Sequence, residues 1–198
     1  AGCRFRYTLM IDFFFRGIFE HPLLRRAKYV MRLDCDSLLL TPFPDLFAAL
    51  DTLPTVSYVV AANNRDCGKI VRGLPEFATE FANRHGASTL RSINKLPSER
   101  NAGRKANPCL LGFYNNFEIL RMADFTGSAL HAEWTSAVAK SHGIFEHRWG
   151  DAILRRLGLT MMGVNVAYLD ALAPHARYEH RGLVYGSAIL RRNLIAPG

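Results

Sequence analysis

The chain is 198 residues long, 49% hydrophobic and 21% charged, with a formal net charge of +8 at pH 7. That length and composition fit one globular domain with a buried core and argue against a disordered chain. Apolar runs such as Phe13 to Phe15 and Tyr58 to Ala62 are far too short to cross a bilayer, and the positive excess suits an anionic ligand.

The chain opens without an initiator Met or a signal-like start, which is expected of a processed product, an excised domain or a fragment. Tyr29 to Leu33 reads as a strand and ends in two carboxylates, Asp34 and Asp36. Leu38 to Leu40 is a second extended run, stopped by Thr41-Pro42-Phe43-Pro44, whose prolines cannot continue a ladder. Asp45 to Leu50 predicts a short helix, and Val56 to Ala62 an apolar strand that Asn63-Asn64 should end. Pro75 sits at a first helical position and opens Glu76 to Arg84, with Gly86 just past the end.

Cys109 to Ile119 then reads as extended. Ser128 should cap a helix from Ala129 to Ser141, where Leu130, Trp134 and Val138 share one face and Gly143 supplies the stop. Asp151 begins a helix through Ala152 to Arg156 that Gly158 should close, and Met161 to Tyr168 is a last strand. Strands interleaved with helices predict an α/β sheet covered on both faces, with ligands at the carboxyl ends of strands. There is no internal repeat.

The densest positive segment, Arg91 to Lys105, mixes five cations with Ser, Asn, Pro and Gly, the composition of a solvated loop. No zinc-finger spacing, aromatic RNA-recognition pair or Gly-x-x-Gly clamp accompanies it, so nucleic acid is not an expected partner. Cys3, Cys35, Cys67 and Cys109 are too dispersed for a Cys-x-x-Cys zinc site; free thiols and one or two disulfides both remain open.

Asp34 and Asp36 are two apart, which in a strand puts both on one face. Two anions there repel unless a cation joins them, and a hard divalent metal such as Mn²⁺ or Mg²⁺ bridging nucleotide phosphates fits that need. The same pattern is common in surface turns, so further residues have to decide. Glu118 lies among aromatics and amides in Phe113-Tyr114-Asn115-Asn116-Phe117-Glu118-Ile119, where a carboxylate is costly unless hydrogen-bonded or used. In His147-Arg148-Trp149-Gly150-Asp151, Trp149 could form a flat wall for a sugar ring and Asp151 could accept from hydroxyls; a core Trp beside an ordinary Asp cap explains the same residues. His180, in Tyr178-Glu179-His180, could complete a metal site as neutral imidazole or simply be a satisfied surface residue.

In their order and spacing these clusters resemble the fungal-type α-1,2-mannosyltransferases, the glycolipid 2-α-mannosyltransferase family of retaining, Mn²⁺-dependent enzymes with a GT-A fold. That family shows His-Pro, a Tyr-Trp-Arg-Val-Glu-Pro-Asp strand end, Trp-Ser-Asn-Phe-Glu-Ile, Glu-Arg-Trp-Gly-Asp and Tyr-x-His. This chain has His21-Pro22, Arg32-Leu33-Asp34-Cys35-Asp36, Tyr114 to Ile119, His147 to Asp151 and Tyr178-Glu179-His180. The departures are Asp34 for Glu, Cys35 for Pro, Tyr114-Asn115 for Trp-Ser and His147 for Glu.

The resemblance implies a GT-A-like mixed sheet flanked by helices, lacking the first strand–helix units, with residues 1–198 forming a single, partial catalytic domain. It implies transfer of mannose from GDP-mannose to an acceptor mannoside in α-1,2 linkage. In the roles it implies, Asp36 and His180 hold Mn²⁺; Tyr7, Arg32, Asp34 and Trp149 bind the donor nucleotide; Glu118 and Asp151 are catalytic. A Golgi-lumen location follows on the same basis, with membrane attachment only through an anchor these residues do not include. The oligomeric state is left open. So are two competing readings, a GT-A enzyme with another sugar-nucleotide donor such as a UDP-hexose, and a degenerate carbohydrate-binding or scaffold domain.

Overall fold

The computed structural model describes residues 2–86, 98–99 and 109–186, which divide into two compact units. One, here the sheet unit, comprises Lys28–Asn63, Tyr114–Arg121 and the chain from Val164 onward; the helical unit comprises Ala1–Ala27, Asn64–Phe113 and Met122–Gly163.

The sheet unit is built on β1 (Tyr29–Leu33), β2 (Ser37–Leu39), α1 (Leu46–Asp51), β3 (Val56–Val60), β7 (Phe117–Arg121), β8 (Asn165–Tyr168), α2 (Leu169–Leu172), β9 (Tyr178–His180) and β10 (Leu183–Tyr185). Its main sheet has the order β1-β7-β3-β8, antiparallel except for the parallel β3–β8 pair, so the α/β mixed sheet is as expected. β3 is an apolar run because both of its faces are buried. Alternation sends Met31, Val59, Phe117 and Ile119 to one face, where they pack with Leu46, Leu50, Leu169 and Tyr178. Arg32, Tyr58, Val60 and Glu118 fall on the other face. The short helix expected from Asp45 is α1, and Asp45 is its cap, accepting from the Phe47 and Ala48 N–H groups at 3.0 Å each. A second sheet, β10-β9-β2, completes the unit.

The helical unit holds an N-terminal helix, Gly2–Asp12, continued by a π-helical turn over Phe13–Gly17 and by Ile18–Glu20; nothing in the sequence reading anticipated it. It also holds α3 (Leu74–Arg84), α4 (Met122–Thr126), α5 (Ala129–Ser141), α6 (Gly143–His147), α7 (Asp151–Met162) and the sheet β4-β6-β5, formed by Asn63–Cys67, Cys109–Phe113 and Ser98–Glu99. Its core gathers Phe81, Trp134, Val138, Ile153 and Leu157. A disulfide joins Cys67 to Cys109, and among the described residues Cys35 is a free, exposed thiol.

Four boundaries differ from expectation. Asn63-Asn64 does not end the extended chain but starts β4, whose polar composition hid it. The run from Cys109 to Ile119 is two strands, broken at Tyr114 to Asn116 and serving different sheets. Ser128 caps α5 as predicted, but the stop comes at His142, in the left-handed region at φ 55°, and Gly143 opens α6. The last discrepancy is α7, which runs through Gly158 to Met162, so the strand predicted from Met161 shrinks to Asn165–Tyr168. A Cβ on Gly158 would meet the Trp134 ring at 2.9 Å, so this glycine serves close helix packing; Gly163, at φ +67°, is the true C-cap. The basic loop Arg91 to Lys105 lies outside the described residues, apart from Ser98–Glu99.

Candidate active site

Two strand pairings bring the acid pair and the histidine together. β1 ends at Leu33, and the next turn is pinned where the Asp34 N–H donates to the Asn116 carbonyl and the Ser37 N–H to the Asp34 carbonyl, at 2.9 and 3.0 Å. Ser37, the first residue of β2, pairs directly with His180 on β9, which sets Asp36 against the imidazole. β9 and β10 are joined by Arg181-Gly182, both at positive φ (53° and 78°), the backbone of a type I′ hairpin turn.

The donor atoms of Asp34, Asp36 and His180 all lie within 4.8 Å of one another. His180 Nε2 is 2.9 Å from Asp36 Oδ1 and 3.9 Å from Asp34 Oδ2. The imidazole is 3% exposed, whereas the Asp36 side chain is 53% exposed, so the cluster has a buried floor and an open side. Burial pushes the Asp36 carboxyl up, but the charge of His180, hydrogen bonds and Arg181 together outweigh it and hold the group below the usual carboxylate range. Two hard carboxylates and a borderline imidazole fit a divalent cation of the Mn²⁺ or Mg²⁺ type.

Around this cluster the remaining groups are held firmly. Arg32 donates from Nε to Asp34 Oδ1 at 2.9 Å. Glu118 stands opposite Arg32 in the β1–β7 register; it is fully buried, and its Oε2 accepts from the Tyr58 hydroxyl at 2.7 Å. The Tyr114 hydroxyl is 2.7 Å from His180 Nδ1, and the Tyr178 hydroxyl donates to Asn116 Oδ1 at 3.3 Å.

Tyr7, Trp149 and Asp151 fall in the helical unit. The guanidinium of Arg148, itself at φ 64°, lies 4.6 Å from the Tyr7 ring centroid. Asp151 is 5% exposed at the start of α7. Trp149 is not the open wall expected for a sugar ring: it is 4% exposed, packs on Phe77 with ring centroids 5.1 Å apart, and donates its indole N–H to the Arg72 carbonyl at 2.8 Å. The amphipathic indole is thus satisfied as a core group.

Sequence reasoning passed over three residues. Tyr58 lies inside an apolar run, where its hydroxyl gives no signal. Tyr114 was visible only as a substitution within a motif. Asp66, half-buried in β4, has its carboxyl pushed up by burial; the Arg148 charge opposes that shift and Asp151 adds to it.

The architecture is that of a glycosyltransferase fold. The structure superposes on the mannosyltransferase Ktr4p of Saccharomyces cerevisiae with a TM-score of 0.71 and 22% identity, covering 88% of this chain and 46% of that one. Core-mannan synthase A (CmsA/Ktr4) of Aspergillus fumigatus, in its Mn/GDP form, gives a TM-score of 0.70 at 20% identity, covering 92% of this chain and 50% of that one.

By sequence, the chain is similar to fungal α-1,2-mannosyltransferases, as its motifs led us to expect. It is 30% identical over 185 residues to O-glycoside alpha-1,2-mannosyltransferase homolog 2 of Schizosaccharomyces pombe, and 26% identical over 212 residues to homolog 5 of the same organism. These matches cover 90% and 91% of this chain, which spans about half the length of the curated relatives, 47% and 49%. No protein-family model matches the chain.

Proposed function

We propose that this chain carries the donor site of a retaining glycosyltransferase that moves mannose from GDP-mannose to an acceptor mannoside, in α-1,2 linkage and with a divalent metal, Mn²⁺ by preference. The observation that carries this reading is the convergence of Asp34, Asp36 and His180 from distant parts of the sequence within 4.8 Å. The relatives' names, and the Mn/GDP form of one structural neighbour, support the sugar, the nucleotide and the metal.

In this reading Asp36 and His180 hold the cation and Asp34 assists. A cation held there neutralises charge on the departing diphosphate. Arg32 fixes Asp34 through its ion pair and, with Tyr7, binds the donor nucleotide. Glu118 is held in one orientation by the Tyr58 hydroxyl. It either attacks the anomeric carbon or stabilises the positive charge that develops there, while the acceptor hydroxyl enters from the leaving-group side. Asp151 accepts from hydroxyls of the reacting sugars. Trp149 takes no part beyond packing. Residues 1–198 act as one catalytic domain, and the Cys67–Cys109 disulfide suits an oxidising compartment such as the Golgi lumen.

Glu118→Gln keeps the shape of the side chain and removes its charge. Transfer from GDP-mannose should fall at least about a hundredfold, with Mn²⁺-dependent GDP binding unchanged by calorimetry. Normal turnover by this variant would remove Glu118 from the mechanism. One observation favours a second reading, a carbohydrate-binding domain without catalysis: the Glu118 side chain is fully enclosed. That domain would bind GDP, if at all, with no dependence on Mn²⁺.

A further inference from the structure

The imidazole of His180 has two nitrogens and, in this fold, two different neighbours. Nε2 faces the acid pair, at 2.9 Å from Asp36 Oδ1 and 3.9 Å from Asp34 Oδ2. Nδ1 points the other way, 2.7 Å from the hydroxyl of Tyr114. Tyr114 is itself fixed at three points: its backbone N–H donates to the Ala62 carbonyl at 2.8 Å, its ring packs on Tyr185 with centroids 5.1 Å apart, and the Tyr185 hydroxyl is hydrogen-bonded to its own.

A histidine can ligate a cation through Nε2 only if that atom is unprotonated, and a neutral imidazole then carries its proton on Nδ1. That proton needs an acceptor, because the ring is 3% exposed and water has little access to it. Without a cation the roles reverse. A carboxylate can only accept, so the proton sits on Nε2 and is given to Asp36, and Nδ1 accepts from Tyr114. The partner at Nδ1 must therefore be able to donate in one state and accept in the other. A hydroxyl does both; an indole N–H only donates, and a phenyl ring does neither.

Resting on the metal-site reading above, we propose that Tyr114 is a positioning residue of that site: it accepts the Nδ1–H of His180 and so keeps Nε2 unprotonated and aimed between Asp34 and Asp36. The proton balance closes within the cluster. Nδ1 takes the Tyr114 hydroxyl proton at 2.7 Å, the Nε2 proton leaves on the open Asp36 side, and one proton returns from solvent through the Tyr185 hydroxyl to Tyr114, so no net proton is gained or lost.

The test is Tyr114→Phe in the full chain, with Mn²⁺ alone as the probe and free Mn²⁺ followed by electron paramagnetic resonance. Loss of a partner to a metal-ligating histidine commonly weakens metal binding by about 10–100-fold, and that loss is expected here. Thermal unfolding of the metal-free variant is the control for folding. Its companion measurement is the ¹⁵N spectrum of His180 at one fixed Mg²⁺ concentration: the wild type should show a protonated Nδ1, while Tyr114→Phe should still show the Nε2-protonated form of the unloaded site. Mn²⁺ affinity within twofold of wild type, or an unchanged tautomer, overturns the role of Tyr114 while leaving the site standing. A wild-type chain that takes up no Mn²⁺ overturns the site and the tyrosine's place in it together.

Discussion

Two histidines are buried to nearly the same depth in different units, His180 at 3% exposed in the sheet unit and His131 at 6% in the helical unit. They have opposite surroundings. His180 lies between two carboxylates and a hydroxyl, in a cluster whose Asp36 is held ionised. His131 lies edge-on to Phe19 and Phe125, at ring-centroid distances of 4.5 and 5.4 Å. Burial, with the Arg155 charge adding to it, pushes His131 down to about 3. Burial alone therefore does not make a histidine a ligand; the partners decide whether the pocket welcomes charge or sheds it. The sheet unit is arranged to hold charge around one point. In the helical unit, burial among aromatic rings keeps His131 neutral.

The sharpest way to break that contrast is to remove the ligands themselves. His180→Ala and Asp36→Ala should each weaken Mn²⁺ binding by more than the roughly 10–100-fold of an outer partner, whereas His131→Phe should leave it within about twofold. Titration of free Mn²⁺ against the three variants measures all of this at once. A metal affinity that survives His180→Ala would place the cation elsewhere and dissolve the distinction between the two histidines.

A second test concerns the helical unit and acid. The folded-state pKa of His131, about 3, is below the ordinary value of 6.5, so below pH 6.5 the unfolded chain binds a proton that the folded chain refuses. Stability from this group is intact above pH 6.5 and is lost as pH falls towards 3, by about 1.4 kcal/mol per pH unit. Between pH 6.5 and 4 the wild type should lose roughly 3 kcal/mol more than His131→Phe, read from urea unfolding across pH. The larger ring shifts the whole curve and leaves its slope to report the proton. Parallel slopes would mean that His131 titrates normally.

How much of this could be read beforehand depended on whether a signal was local. Strand β1, the Ser128 cap of α5 and the Asp45 cap of α1 are local patterns, and the structure reproduces them. The Asp34–Asp36–His180 cluster is not local: it depends on Ser37 pairing with His180, a contact across 143 residues that only an ordered set of motifs could suggest. Trp149 and Gly158 misled for one reason. Both owe their environment to tertiary packing, an indole filling the helical core in the first case and the Trp134 ring pressed on α7 in the second, and neither shows in the surrounding sequence. Asp66 escaped notice because a single acid in a polar strand looks like any solvated residue.

Asp66 gives the smallest effect and refines the contrast from the opposite side of the pH scale. Burial raises its carboxyl; the Arg148 charge opposes that rise, and Asp151 adds a smaller repulsion to it. Because the folded-state pKa is raised, the folded chain holds this proton more tightly than the unfolded chain does. The penalty is absent below the ordinary carboxylate range and appears as pH rises through the folded value. A Cβ on Gly150 would meet Asp66 Oδ2 at 2.9 Å, so the carboxylate lies against the start of α7. Asp66→Asn keeps the shape and removes the charge. With solvent screening of a half-buried group allowed for, it should stabilise the chain at pH 7 by about 0.5 kcal/mol, or a rise in Tm of roughly 1–2 °C for a chain of this size. The gain should vanish at pH 3.5, where both residues are neutral, and scanning calorimetry at the two pH values separates the cases. Destabilisation at pH 7 would show that the Arg148 charge outweighs burial and that Asp66, like Asp36 in the sheet unit, is held ionised by its partner.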